Sequence, residues 1–172
     1  MRNIIFLTGT RADFGKIKAL IQAIENHRDF EPHIFVTGMH LLHEYGYTLI
    51  EVERCGFNNI ATFNNYTDEA TMDLTLAKTI NGFSEYIKIT EPDLIVVHGD
   101  RVEALAGAIV GSLNNILVAH IEGGELSGTI DELIRHSVTK LSHVHFTSND
   151  NAKKRLLQMG ELETSIFTIG SP

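Results

Sequence analysis

The chain has 172 residues, enough for one domain that buries around 70% of the surface its unfolded form exposes. Composition is that of a globular protein, 43% apolar, and a formal net charge of −8 argues against a general nucleic-acid surface; no basic run exceeds "KKR" at 153–155. A single cysteine, Cys55, excludes an internal disulfide and a cysteine-rich metal site, and no apolar run approaches the roughly eighteen residues of a membrane span.

"MRNIIFLTGTR" reaches polar turn residues too soon for a signal peptide, so the expected compartment is the cytoplasm, with no membrane partner. Within it, "NIIFLTG" (3–9) is an apolar run of the kind found in a strand buried on both faces. "DFGKIKALIQAIENH" (13–27) follows with Ile17, Leu20, Ile21 and Ile24 at helical spacing, and Asp13 can cap it. "EPHIFVTG" (31–38) reads as a second strand, and 39–56 as one helix or two broken near Gly46. "NNIATFNNYTDEA" is the least regular stretch, a short strand and a loop, before a long helix expected from Glu69 to about Ile89.

"PDLIVVHGD" (92–100) is the cleanest strand, and the small residues of "VEALAGAIVGSL" (102–113) suit a helix packed closely on a sheet. "NILVAHIEGG" is another strand, 130–141 a helix, "HVHFTS" (143–148) a strand, 149–160 a helix stopped by Gly160, and 165–172 a last strand. Alternating continuous apolar strands and helices predicts α/β architecture, a Rossmann-like, mainly parallel sheet of about seven strands with helices on both faces. Residues 1–172 are expected to form a single Rossmann-like domain, with no second half following "GSP".

In such a sheet the functional loops lie at the carboxyl ends of the strands. In "TGTRADFGK", Gly9 lets a ligand approach the backbone, and Arg11 and Lys16 add cations near free helix N–H groups. That is a phosphate or diphosphate cradle, although a helix cap with surface cations is the plainer alternative. It matches neither the dinucleotide fingerprint nor a P-loop. "HGDR" places Asp100 and Arg101 at a strand tip, while His98, inside the strand, reads as a satisfied core histidine. His40, at a strand exit with no apolar reason to be there, reads as functional.

"HIEGGELSGTIDELIRH" (120–136) holds four carboxylates, Glu122, Glu125, Asp131 and Glu132. Arg135 and His136 fall four residues after Asp131 and Glu132, so helical pairing can account for those two pairs, and for Glu132 with His136 that is the preferred reading. It leaves Glu122, beside two glycines, unexplained. Carboxylates crowded in a cleft have raised pKa values, which suits general acid/base work. Metal binding is set aside, because no H-E-x-x-H spacing is present, and the "HVH" pair at 143 and 145 reads as packing. On residues alone, a sugar-nucleotide enzyme, a nucleotide-binding module and a phosphotransfer enzyme all remain open.

The blocks "TGTRADFGK", "VTGMH", "HGDRVEALAGA", "HIEGGELSGTIDELIRHSVTKLSHVHF" and "GSP" together resemble the N-terminal half of the hydrolysing UDP-N-acetylglucosamine 2-epimerases, in particular those of bacterial sialic acid synthesis. The resemblance implies one half of a GT-B type fold, with the second half, which holds uridine and diphosphate, absent from this chain. It implies a UDP-sugar as partner, conversion of UDP-N-acetylglucosamine and water into UDP and N-acetylmannosamine, no nicotinamide cofactor, and a homo-oligomeric full-length protein. By the same resemblance Asp100, Glu122, Asp131 and Glu132 are the acid/base candidates, and Gly9, Arg11, Asp13, Lys16, His40, Arg101 and Ser127 the substrate-binding ones.

Where the non-hydrolysing relatives carry Pro-Glu-Glu, this sequence has "IDE", which fits the hydrolysing branch and leaves Asp131 and Glu132 as alternatives for one working acid. Three further readings stay open: a hydrolysing epimerase of a UDP-2,4-diacetamido-trideoxyhexose, on the route to legionaminic acid, a non-hydrolysing epimerase, and a nucleotide-sugar-binding module without catalysis. This half alone is expected to be inactive.

Overall fold

Successive residues of a strand point to opposite faces, so a strand apolar at every position needs cover on both sides. In the computed structural model, which describes residues 1–69 and 71–172, such strands make up the middle of the sheet. The described residues form strands β1 (Arg2–Thr8), β2 (Phe30–Val36), β3 (Ile60–Thr62), β4 (Leu94–His98), β5 (Leu117–Ile121), β6 (Val144–Thr147) and β7 (Ile166–Thr168). Among them run helices α1 (Arg11–Glu25), α2 (Leu49–Glu53), α3 (Met72–Thr90), α4 (Val102–Leu113), α5 (Ile130–Lys140) and α6 (Asp150–Gln158). The strands form one sheet in the order β3-β2-β1-β4-β5-β6-β7, and every pairing is parallel. The fold is thus the α/β, Rossmann-like sheet expected.

The alternation sorts the core into two layers. Ile5, Leu7, Ile95, Val97 and Val118 pack with Phe83 and Ile87 of α3, Ala104 and Ala108 of α4, and Ile134 and Val138 of α5. Ile4, Phe6, Ile34, Val36, Val96 and Ala119 pack on the opposite face with Phe14, Ile17 and Ile21 of α1 and with Leu49 and Val52 of α2. Helix α4 lies close on the sheet because it is small there: a Cβ on Gly111 would come 2.5 Å from Val118 Cγ2.

Several boundaries differ from expectation. The cap of α1 is Thr10, whose hydroxyl accepts from the Asp13 N–H, and this frees the Asp13 carboxylate for another partner. Residues 39–56 do not form one or two full helices. Two 3-10 turns, Gly38–Leu41 and His43–Tyr45, precede a left-handed Gly46, and only the five residues of α2 are α-helical. The long helix begins at Met72 rather than Glu69; the irregular stretch and helix start expected there both include Ala70, which lies outside the described residues. The last strand shrinks to three residues.

The order of strands fixes where a ligand can enter. After β1 the chain moves outward to β2 and β3, then returns to lay β4 on the other side of β1. The loops leaving β1 and β4 therefore part company, opening a crevice at the carboxyl edge. Among the described residues, no helix is long and apolar enough to cross a membrane.

Candidate functional site

The crevice between the β1 and β4 exits is ringed by charge. β4 ends on His98, which shares with Leu94 and Val96 the face covered by α1, and Asp13 stands one turn into that helix. His98 Nδ1 lies 3.4 Å from Asp13 Oδ1, and His98 Nε2 lies 3.0 Å from Glu122 Oε2. The other Glu122 oxygen, Oε1, faces Lys16 Nζ at 3.4 Å and accepts from the Ser171 hydroxyl. Glu122 itself adopts φ +64°, a left-handed backbone that a side chain with a Cβ rarely takes. Non-glycine residues in this region cost on the order of 1 kcal/mol or more and concentrate at functional sites.

These contacts set the charge states. Burial would lift the Glu122 pKa, but the Ser171 hydrogen bond, the charge of His98 and Lys16 outweigh it, and the net shift is downward. Burial would likewise lower His98, yet hydrogen bonding and charge from Asp13 and Glu122 prevail and raise it. The raised carboxylate pKa expected from crowding is therefore reversed at Glu122, because the neighbours that reach it are cations and donors rather than other carboxylates. An ionised Glu122 is equipped to accept a proton.

A second group lies beside the first. Arg135 Nη2 donates to Asp100 Oδ2, and its Nη1 donates to the Glu125 carbonyl at 2.9 Å. Arg135 thus serves Asp100, not the Asp131 one turn before it. A cavity of about 450 Å³ opens next to Asp100, walled by Arg101, Glu103, Asp131, Gly38 and Tyr45. Asp131 is exposed there and, among the described residues, accepts only from Thr129 Oγ1, at 3.2 Å. Glu103 is almost wholly buried; its Oε1 accepts from Asn65 at 3.3 Å, and its Oε2 lies 3.5 Å from Arg101 Nε.

The remaining expected residues separate into site and scaffold. Glu132 accepts from the Ser127 and Gly128 N–H groups, and these two bonds lower its pKa. It pins the loop that carries Ser127, and His136 lies 3.9 Å away, whereas Asp131 is exposed at the cavity wall. Arg11 turns away from Lys16 to pair with Glu51 at 3.0 Å, on the surface beside α2. The expected two-cation cradle is therefore divided: Lys16 serves Glu122, while Gly9 backs onto Glu103.

His40 requires a correction. It is fully buried, its Nε2 bonded to Thr8 Oγ1 at 3.0 Å and its Nδ1 to Thr48 Oγ1 at 2.8 Å, with its pKa held down by burial. With both nitrogens engaged inside the core it braces the β2 exit and has none to offer a substrate. His98, which reads on its strand as a core histidine, instead meets two carboxylates. The strand phase was the available signal, since α1 lies over the face that His98 occupies, and Asp13 four residues after Gly9 supplies its partner. Glu103 and Arg135 gave less warning, because nothing in a local pattern says that a helical glutamate will be buried or which distant acid an arginine will meet.

His120 is scaffold as well, bonded to the Gly99 carbonyl at 2.7 Å and to Thr139 Oγ1 at 3.1 Å. Burial drives its pKa down to about 3. Because the folded pKa lies below the unfolded one, its contribution is complete above the unfolded value of 6.5 and is lost as pH falls toward 3. His40 and His145 are shifted the same way by burial, and His98 opposes them. Urea midpoints should show the loss of stability between pH 7 and 5 to be about 2 kcal/mol larger than in His120→Gln. Equal losses in the two proteins would mean that His120 is charged in the fold. Among the described residues, no group of three or more His, Cys, Asp or Glu is arranged to hold a metal.

A family model described as UDP-N-acetylglucosamine 2-epimerase matches residues 22–172. The chain belongs to the UDP-N-acetylglucosamine 2-epimerase family. It is 52% identical over 172 residues to the UDP-N-acetylglucosamine 2-epimerase of Neisseria meningitidis serogroup B, covering 100% of this chain and 46% of that protein. It is 40% identical over 177 residues to the UDP-N,N'-diacetylbacillosamine 2-epimerase (hydrolyzing) of Legionella pneumophila, with the same two coverages, 100% and 46%. Among solved structures, the UDP-GlcNAc 2-epimerase of Methanocaldococcus jannaschii in complex with UDP-GlcNAc and UDP superposes with a TM-score of 0.86 at 30% identity, over 99% of this chain and 47% of that one. The chain therefore spans about half the length of the epimerases it matches, and its fold is that of the N-terminal half of their GT-B architecture.

Proposed function

We propose that the whole protein is a hydrolysing UDP-N-acetylglucosamine 2-epimerase, and that residues 1–172 form one wall of its cleft. The observation that carries this reading is an ionised Glu122, held in a left-handed backbone at the switch point with Lys16 on one oxygen and His98 on the other. A carboxylate in that state is unprotonated at neutral pH, although its lowered pKa makes it a weaker base than the raised value expected from the sequence would. It is placed to take the weakly acidic proton at C2 of the sugar. As it leaves, the C1–O bond to UDP breaks, giving 2-acetamidoglucal. Water then adds across the double bond, hydroxyl to C1 and a proton to C2 from the opposite face, releasing N-acetylmannosamine. The electrons balance without a redox cofactor.

Asp100 and Asp131, beside the cavity, are the candidates for the second proton transfer, and Arg101 at its wall is placed to meet the negative charge that grows on the diphosphate. Aspartate at 131, followed by Glu132, favours the hydrolysing branch. A second reading is favoured by the Legionella relative: the same two steps on a UDP-2,4-diacetamido sugar.

Product analysis on the full-length protein decides among them. Free UDP with N-acetylmannosamine is expected; UDP-N-acetylmannosamine or turnover of only the diacetamido sugar would redirect the reading. Residues 1–172 alone should release no measurable UDP, since one wall supplies groups on only one side of the departing diphosphate. Arg101→Ala in the full-length protein should weaken UDP binding by about tenfold, the scale of one lost charged hydrogen bond. Unchanged affinity by calorimetry would remove Arg101 from the diphosphate.

A further inference from the structure

We propose that His98 is a positioning residue that holds Glu122 in place as an aimed carboxylate, the doubly protonated imidazole donating to Asp13 from one nitrogen and to Glu122 from the other. The proposal rests on the reading of Glu122 as proton acceptor and adds the device that keeps it one.

The geometry argues for it directly. A neutral imidazole donates from one nitrogen and presents a lone pair at the other. With carboxylate oxygens 3.4 Å from Nδ1 and 3.0 Å from Nε2, either neutral tautomer would turn its lone pair on an anion. Only the imidazolium satisfies both. Its side chain is 9% exposed and that of Glu122 21%, so water screens the pair poorly.

The charges around it close into a balanced group. Asp13 faces it from α1 and Glu122 from the segment after β5, and Lys16 of α1 reaches the other oxygen of Glu122. His120, on β5 next to it, is neutral and engaged with the Gly99 carbonyl. Asp100, two residues on, is taken by Arg135. Asp13 and Glu122 supply two negative charges, His98 and Lys16 two positive ones, and removing His98 leaves two carboxylates against one lysine. The raised pKa of His98 and the lowered pKa of Glu122 agree with this balance.

His98→Gln tests the charge, because glutamine can reach Glu122 as a donor but carries none. In the full-length protein, Glu122 should then protonate at a higher pH, so activity should be lost from the acid side first. We expect kcat/KM for UDP-N-acetylglucosamine to fall further below wild type near pH 5 than near pH 8, where it should recover to within about threefold. A loss of equal size at both pH values would mark a purely structural histidine and overturn the proposal.

Histidine side-chain NMR of the full-length protein supplies a readout that needs neither catalysis nor a stable variant. The His98 resonance should report a charged ring at neutral pH in the wild type and titrate at lower pH in Glu122→Gln. A neutral His98 in the wild type would overturn the proposal. If the wild type releases no UDP from any UDP-sugar while His98 is charged and responds to Glu122, the functional reading has failed and the positioning role stands.

Discussion

On the proposed function, Glu122→Gln in the full-length protein should reduce kcat by at least about a hundredfold, the usual scale for removing a positioned acid or base. Glutamine retains the length of glutamate, and its carbonyl can still accept from Lys16 and Ser171. What it lacks is a site for the substrate proton and the negative charge opposite His98. The effect should therefore fall on kcat, with KM within about threefold, because contacts made equally in ground and transition state are kept. Folding should change little: the left-handed backbone at 122 strains glutamine as it strains glutamate, so that cost cancels in the comparison. Steady-state kinetics with a melting curve on the same sample make the check. Normal turnover would transfer the proton acceptor to Asp100 or Asp131, and an unstable variant would mean that the cluster is scaffold.

The division of labour among the carboxylates was only half legible in the sequence. About seven strands, a mainly parallel sheet and the carboxyl edge followed from apolar runs alternating with helices, since burial of a strand on both faces leaves its own compositional mark; the order of the strands did not. The glycine and charge at each strand exit followed as well. What did not follow was the set of long-range partners. Arg135 sits one helical turn after Asp131, yet donates to Asp100, 35 positions earlier, because the packing of α5 beside α4 sets which acid lies within reach. Glu122 and Asp13 are 109 residues apart in sequence and meet through a histidine that reads, on its strand alone, as core.

The same limit produced the error in pKa direction. Clustered acids in a sequence suggest mutual repulsion, but Glu125 bonds Ser148 and Asn149, Glu132 caps its own loop, and Asp100 has Arg135. Glu122, Glu125 and Glu132 are each engaged separately, so the repulsion that would raise Glu122 never develops. The two acids at this edge thus have different surroundings: Glu122 is bonded to Lys16 and His98 at the switch point, and Asp131 is exposed at the cavity wall.

Gly38→Ala should be among the most destabilising substitutions of a single small residue at this edge, about 3 kcal/mol, which corresponds to a fall of roughly 10 °C in melting temperature for a domain of this size. Two effects contribute, and a comparison separates them. Gly38 has φ +61°, a conformation that costs an alanine on the order of 1 kcal/mol. Gly46 has φ +85° and nothing within 4 Å of where its Cβ would lie, so Gly46→Ala should show that backbone cost alone. At Gly38 the new methyl would stand 2.6 Å from Glu103 Oε1 and 2.7 Å from the Gly9 carbonyl oxygen. The carboxylate cannot simply swing away, because Glu103 is buried and Asn65, which holds it, is itself bonded to Thr79 at 2.9 Å and to the Gly38 N–H at 3.1 Å. Nor can the carbonyl, which belongs to the β1 exit. Steric overlap with the buried Glu103 and with that backbone should therefore outweigh the strain, and the difference between the two variants measures it. Similar melting temperatures for Gly38→Ala and Gly46→Ala would show that Glu103 has room to move, and with it the Arg101 that it faces across the cavity wall.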